Sequence, residues 1–82
     1  MDDWKDRLKA EYAQTKERYE KLKAFNNHIT VQMHLHPTDF SDVETYHFEL
    51  CKEQQHYMGV YLHYLELRAD LYDIDLKGES EQ

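Results

Sequence analysis

Apolar and aromatic residues recur at steps of three or four along most of this 82-residue chain, and this spacing constrains the fold more than any other feature. Such steps place side chains on one face of a helix, so each run predicts an amphipathic helix. The first run comprises Leu8, Tyr12, Thr15, Tyr19 and Leu22. The second run comprises His47, Cys51, Gln54, Met58, Tyr61, Leu65, Arg68 and Tyr72. The two runs predict an all-α fold, an antiparallel helical hairpin.

Capping signals set the expected limits of the two helices. The first helix is expected over about residues 3–25, because Asp2 or Asp3 can cap its start and Asn26-Asn27 is a plausible stop. The second is expected over about residues 41–72, since Ser41 and Glu44 have the spacing of a capping box. We therefore predict one helical domain over residues 1–76, followed by a frayed C-terminal tail over residues 77–82.

Residues 29–36 follow a different pattern, because apolar and polar side chains alternate strictly from Ile29 to His36. Alternation of this kind is typical of a β-strand. We therefore expect a short extended or strand-like insert over residues 27–37, which Pro37 ends. A lone strand leaves its backbone groups unpaired, so the insert would either pair with another copy or be irregular.

Self-association is expected on physical grounds. With these limits the second helix exceeds the first by about two turns, at 3.6 residues per turn, and a two-helix hairpin cannot bury two such stripes. Cys51 is the only cysteine, so no internal disulfide can stabilise this small chain. The sequence therefore predicts a helical homo-oligomer.

Composition excludes several classes of function. A net charge of −7 argues against a general DNA-binding protein, which needs a basic surface. No run approaches the roughly 20 apolar residues of a membrane span, so no membrane partner is expected. The charged N-terminus does not resemble a signal peptide, and the single cysteine favours a reducing compartment, which indicates the cytoplasm.

The six histidines do not predict a metal site. A site needs three or four convergent ligands, and His56 and His63 lie two turns apart on one helix face. His34 and His36 would share one face of a strand but would still need further ligands. We expect these histidines to lie on the surface or within the helical runs, and we expect no metal and no cofactor. Without a nucleophile–base pair, an enzyme is not predicted, and Cys51 is expected to pack as a small apolar residue.

Two features favour binding of a small ligand. The seven tyrosines could stack on nucleobases, although composition alone favours tyrosines that fill a wide helical interface. Arg68 could hold a phosphate with its two-pronged guanidinium. An ion pair with an acid of another helix or chain, such as Glu11 or Glu44, explains Arg68 equally well.

Ordered motifs across most of the chain resemble a known family. These are Trp4-x-x-Arg7, Glu11-Tyr12, Arg18, Lys21-Leu22 with Phe25, Phe40-x-x-Val43, and Met58-x-x-Tyr61-x-x-x-Leu65-x-x-Arg68. Together they resemble the phage anti-CBASS cyclic-oligonucleotide sponges. The resemblance implies a compact helical protein, a hexamer, that binds cyclic di- and trinucleotides in the host cell cytoplasm and sequesters them without cleavage.

The resemblance also implies site residues. Tyr12 matches a tyrosine that stacks on a base of a cyclic dinucleotide, and Arg68 matches an arginine near the site for cyclic trinucleotides. The basic residue expected near Asn27 is missing, and the stretch before Phe40 is longer than in the family. Phosphate contact is therefore expected from Asn27, His28 or Thr30, or from elsewhere on the insert. The alternative function is a small helical protein-interaction module, an inhibitor or adaptor of a host protein.

Overall fold

A computed structural model describes residues 3–76, and within them the chain is helical without any strand. Helix α1 spans Trp4–Leu35 and helix α2 spans Asp42–Leu71, with a 3-10 turn over Pro37–Asp39 between them. Contacts between opposite ends of the two helices, such as Trp4 against Tyr72, show that they run antiparallel. The predicted all-α hairpin is confirmed. Its assembly into an oligomer stays a prediction, and the predicted tail over residues 77–82 lies outside the described residues.

The predicted extended insert is wrong, because α1 continues without a break through residues 27–35. Along a helix the alternating apolar residues divide between two faces: Ile29 and Met33 are half-buried, whereas Val31 and Leu35 are exposed. A continuous helix satisfies the backbone groups of this stretch internally, which a single strand cannot do. The helix ends at His36, whose backbone N–H donates to the Gln32 carbonyl at 2.7 Å.

The two helices have nearly the same length, 32 and 30 residues. The expectation that α2 exceeds α1 by two turns is therefore wrong, and unequal length gives no reason for a partner. Any case for self-association has to come from the surface that the hairpin leaves exposed.

The start of each helix is as predicted. The Asp3 carboxylate accepts a hydrogen bond from the Lys5 backbone N–H at 2.9 Å. Ser41 and Glu44 form the full capping box: the Ser41 hydroxyl accepts from the Glu44 N–H at 3.1 Å, and the Glu44 carboxylate accepts from the Ser41 N–H at 2.8 Å. This box fixes the point where the chain turns back.

The second run of the sequence, from His47 to Tyr72, is the predicted seam of α2. The face of α2 that packs on α1 differs from this seam by one position. Cys51, Met58 and Leu65 are half-buried or buried, as expected, but the other predicted seam residues, His47, Gln54, Tyr61, Arg68 and Tyr72, are exposed. Their places are taken by Phe48, Gln55, Leu62 and Ala69. The polar and charged residues of the predicted seam are therefore surface residues.

The main core lies at the end of the hairpin where α1 begins and α2 ends. Its buried residues are Leu8, Tyr12, Leu62, Leu65 and Ala69. Trp4, Tyr19, Ile74 and Leu76 pack against this cluster. Neither helix within residues 3–76 carries an apolar stretch long enough to cross a bilayer.

Candidate functional site

Tyr12 packs in the core and also lines the edge of a groove. Its side chain is 7% exposed, and its hydroxyl donates a hydrogen bond to the Glu66 carboxylate at 2.8 Å. Burial, together with the hydrogen bond to and the charge of Glu66, raises the pKa of Tyr12 to about 12. The hydroxyl therefore stays protonated as a donor. A groove of about 380 Å³ beside it is lined by Glu66, Asp70 and Asp75, and these acids disfavour an anionic group there.

The other residues predicted for a dinucleotide site lie far from Tyr12. Asn27, His28 and Thr30 are exposed on the C-terminal half of α1, and the Thr30 hydroxyl donates to the Asn26 carbonyl at 2.8 Å. At 1.5 Å per residue they lie about 22–27 Å along the helix from Tyr12. A single chain therefore does not bring these residues together around one ligand.

Arg68 borders a groove of about 330 Å³ at the core end of the hairpin. The lining residues are Trp4, Arg7, Leu8, Glu11, Tyr61, Leu65 and Arg68. The guanidinium carbon of Arg68 lies 5.9 Å from the centroid of the Trp4 ring, a cation–π contact. Two guanidinium groups and two aromatic rings thus border one concave surface, which we call the arginine groove.

Among the described residues, Glu11 is the one acid that lines the arginine groove, and hydroxyl groups hold its carboxylate in place. Both the Tyr61 hydroxyl, at 2.9 Å, and the Thr15 hydroxyl, at 3.2 Å, donate to one oxygen of Glu11. The hydrogen bond to Glu11 is the main cause that raises the pKa of Tyr61, while the charges of Arg68 and Arg18 oppose the shift. Glu44, the other acid considered for Arg68, lies at the far end of α2 and caps that helix.

A further groove was not predicted from the sequence. It has a volume of about 710 Å³ and is lined by Tyr19, Lys52, Gln55, His56, Gly59, Val60, His63 and Tyr64. A Cβ atom at Gly59 would lie 3.3 Å from the Tyr19 ring, so glycine allows this ring to lie close to α2. Since glycine inside a helix is unfavourable, Gly59 is the signal in the sequence that marks this close approach.

A further groove, of about 370 Å³, lies at the turn end of the hairpin and is mainly apolar. Its lining residues are Phe25, Ile29, Phe40, Val43, Glu44, His47 and Phe48. Nearby, the His47 Nε2 atom lies 3.6 Å from the Cys51 sulfur. Within residues 3–76, no group of three or more metal-binding side chains converges on one point.

A family model described as Sequestin matches residues 2–71, which is most of the chain. No curated protein and no solved structure matches.

Proposed function

This chain belongs to the Sequestin family, and from that membership we propose that it binds and sequesters a small nucleotide messenger of host defence. The family's name denotes sequestration and agrees with the resemblance to phage sponges. Sequestration needs affinity and a shaped cleft but no catalytic group. A small two-helix protein with open grooves suits such a role.

The messenger that we propose is a cyclic di- or trinucleotide in the cytoplasm of the infected cell. These molecules combine flat bases with negatively charged phosphodiester groups. A binding site for them needs aromatic faces for the bases and cationic forks for the phosphates. The resemblance adds the expectation of a hexamer, in which sites form between copies of the chain.

The observation that carries the proposal is the arginine groove. Arg7 and Arg68 supply two guanidinium groups, of which that of Arg68 can meet two phosphate oxygens, and Trp4 and Tyr61 supply the rings. The protein as a whole has a charge of −7, so this groove is a local exception to an acidic molecule. A volume of about 330 Å³ lies at the lower end for ligand sites and suits one nucleotide unit of a larger ring.

The separate site for cyclic dinucleotides that the resemblance implies would have to form between copies of the chain. It would combine Tyr12 of one chain with Asn27, His28 and Thr30 of another, because about 22–27 Å separates them along α1. The acids beside the Tyr12 hydroxyl disfavour phosphate there. The bases of a ligand would therefore lie toward Tyr12, and its phosphates toward Asn27, His28 and Thr30.

Calorimetric titration of cyclic di- and trinucleotides tests the arginine groove. We expect Arg68→Ala to weaken binding about 10- to 100-fold, since a hydrogen bond to a charged group contributes about 1.5–3 kcal/mol. Lys21→Ala is the matched control: it also removes one positive charge, but Lys21 lies on an exposed face, where it forms an ion pair with Glu17 at 3.3 Å. The control should bind like the unchanged protein.

Two outcomes would contradict the proposal. An equal loss in Arg68→Ala and Lys21→Ala would show that overall charge, and not the arginine groove, sets the affinity. Absence of binding heat across the whole panel would remove cyclic oligonucleotides as the ligand. It would favour the protein-interaction module, for which Tyr46 and Tyr57, each 65% exposed, offer contact surface.

A further inference from the structure

Helix α2 carries a second heptad pattern besides the one that packs on α1. Its members are Tyr46, Leu50, Glu53, Tyr57, Val60, Tyr64, Leu67 and Leu71, which we call the outer seam. The steps alternate between four and three without interruption, and only Glu53 is neither apolar nor aromatic. This is the pattern by which one helix packs along another.

The hairpin leaves the outer seam exposed. Tyr46 and Tyr57 are each 65% exposed, Tyr64 is 59% exposed, and even Val60, the least exposed of its apolar members, is 39% exposed. Helix α1 packs on a different face of α2, the one that carries Phe48, Leu62, Leu65 and Ala69. A continuous apolar stripe of this length is typical of a binding surface and not of a solvated one.

We propose that the outer seam pairs with the outer seam of a second copy of this chain, in antiparallel orientation, about a two-fold axis near Met58 and Gly59. The inference stands on this face alone and does not depend on any nucleotide.

Size supports a second copy of the chain as the partner. The outer seam runs about 37 Å along α2 at 1.5 Å per residue, so an identical helix matches it end to end. Its three tyrosines are 59–65% exposed, so of the about 150–250 Å² that each aromatic side chain buries in full, roughly 300–450 Å² in total per chain is still available to a partner. With the leucines and the valine, the seam approaches the roughly 800 Å² per partner of a standard interface. A two-fold axis lets one surface serve both partners.

The charge of Glu53 decides the orientation. In a parallel pair each residue of the seam faces its own copy, so two Glu53 carboxylates would meet in an apolar interface, which is unfavourable. In the antiparallel pair Glu53 faces Tyr64, whose hydroxyl can donate to it. The same register sets Leu50 against Leu67 and Tyr57 against Val60, and it leaves no member of the seam without a partner.

The pairing would also enclose one side of the groove that Tyr19 and Gly59 line. Val60 and Tyr64 belong both to the outer seam and to the lining of the groove of about 710 Å³. A second α2 along the seam would therefore form a new wall on one side of this groove. The two-fold axis would produce two such clefts, each bordered by Lys52, His56 and His63.

Sedimentation velocity at tens of micromolar, without nucleotide, tests the surface. We expect the unchanged chain to sediment as a dimer or a multiple of a dimer. Leu67→Glu should halve the mass while circular dichroism stays helical. Val31→Glu is the matched control, because Val31 is 52% exposed on α1 and Leu67 is 48% exposed on the seam; it should keep the assembly. A monomeric unchanged chain, or an assembly that Leu67→Glu leaves intact, would overturn the proposal.

Disulfide cross-linking in a Cys51→Ser background tests the orientation with milder substitutions. An equimolar mixture of Leu50→Cys and Leu67→Cys chains should form a mixed disulfide dimer, seen in a non-reducing gel. Neither chain should cross-link alone, because the two copies of position 50 would lie about 25 Å apart along the axis, beyond the reach of a disulfide. Efficient cross-linking of each chain with itself would indicate a parallel pair and overturn the orientation.

Discussion

At the scale of single residues, Asn26 fixes how the two helices meet. It is 2% exposed, and its side-chain nitrogen donates to the Cys51 carbonyl at 3.1 Å and to the Gln55 side-chain oxygen at 2.8 Å. Its side-chain oxygen has no hydrogen-bond partner within the described part of the chain. If α1 and α2 packed in a shifted register, the buried side-chain nitrogen of Asn26 would also lose its partners, which is costly. Asn26 therefore selects this register near the middle of the hairpin.

Replacing Asn26 with alanine should lower the free energy of unfolding by about 1–3 kcal/mol, because two hydrogen bonds between the helices are lost. Asn27→Ala is the control, since Asn27 is the same residue type one position later and is exposed. It should change stability by less than about 0.5 kcal/mol. Urea unfolding measures both values, and similar values for the two variants would contradict the role of Asn26.

Asn26 also shows why the end of α1 could not be predicted from the sequence. Asparagine commonly ends helices, because it tolerates the left-handed conformation. The same side chain, when buried, can bridge two helices. Which role applies depends on whether α2 lies opposite, and the local sequence does not contain that information.

At the scale of elements, the main finding is that α1 extends to Leu35. The strict alternation over residues 29–36 fits a strand, but it also fits a helix with two partly apolar faces. The helix is favoured because Ile29 and Met33, four positions apart, both lie toward the body of the hairpin.

Val31→Pro tests this continuity. The Val31 side chain is 52% exposed, so the substitution acts mainly on the backbone. Within a helix it should cost about 3 kcal/mol and reduce far-ultraviolet ellipticity, because proline removes a hydrogen bond and clashes with the preceding turn. Val31→Ala should cost little by the same urea and circular dichroism measurements. If proline were tolerated as well as alanine, residues 27–35 would not be helical.

The start of α2 was predictable because a capping box is a local signal, readable from Ser41 and Glu44 alone. The face of α2 that packs on α1 could not be predicted in the same way, because two runs of α2 have equally regular spacing. Residues 47, 54, 61 and 68 and residues 48, 55, 62 and 69 differ by one position, and only contact with α1 separates them. The shift bears on the candidate site, since it places Tyr61 and Arg68 at a groove that ligands can reach.

At the scale of the whole molecule, the hairpin buries little and exposes much. Its main core consists of five buried residues at one end, while large apolar side chains are exposed along both helices. A chain of this size gains limited stability from its own core. Association of copies would add buried area, and the outer seam is the surface best suited to it.

A sponge acts by mass action and not by turnover. It lowers the free concentration of a messenger only as far as its copy number and dissociation constant allow, and it leaves the messenger intact. Sequestration and cleavage both silence a signal, so loss of signalling in a cell would not distinguish them. Only the fate of the bound ligand separates the two.

The most direct measurement follows the ligand itself. Excess protein is mixed with each cyclic di- or trinucleotide, and the mixture is ultrafiltered. The retained protein is then denatured to release its ligand. Mass spectrometry identifies the nucleotides in the filtrate and in the released fraction. We expect one or more of these molecules to be depleted from the filtrate and recovered unchanged after denaturation. A filtrate that keeps every ligand, or recovery of a linear hydrolysis product, would rule out sequestration of these molecules.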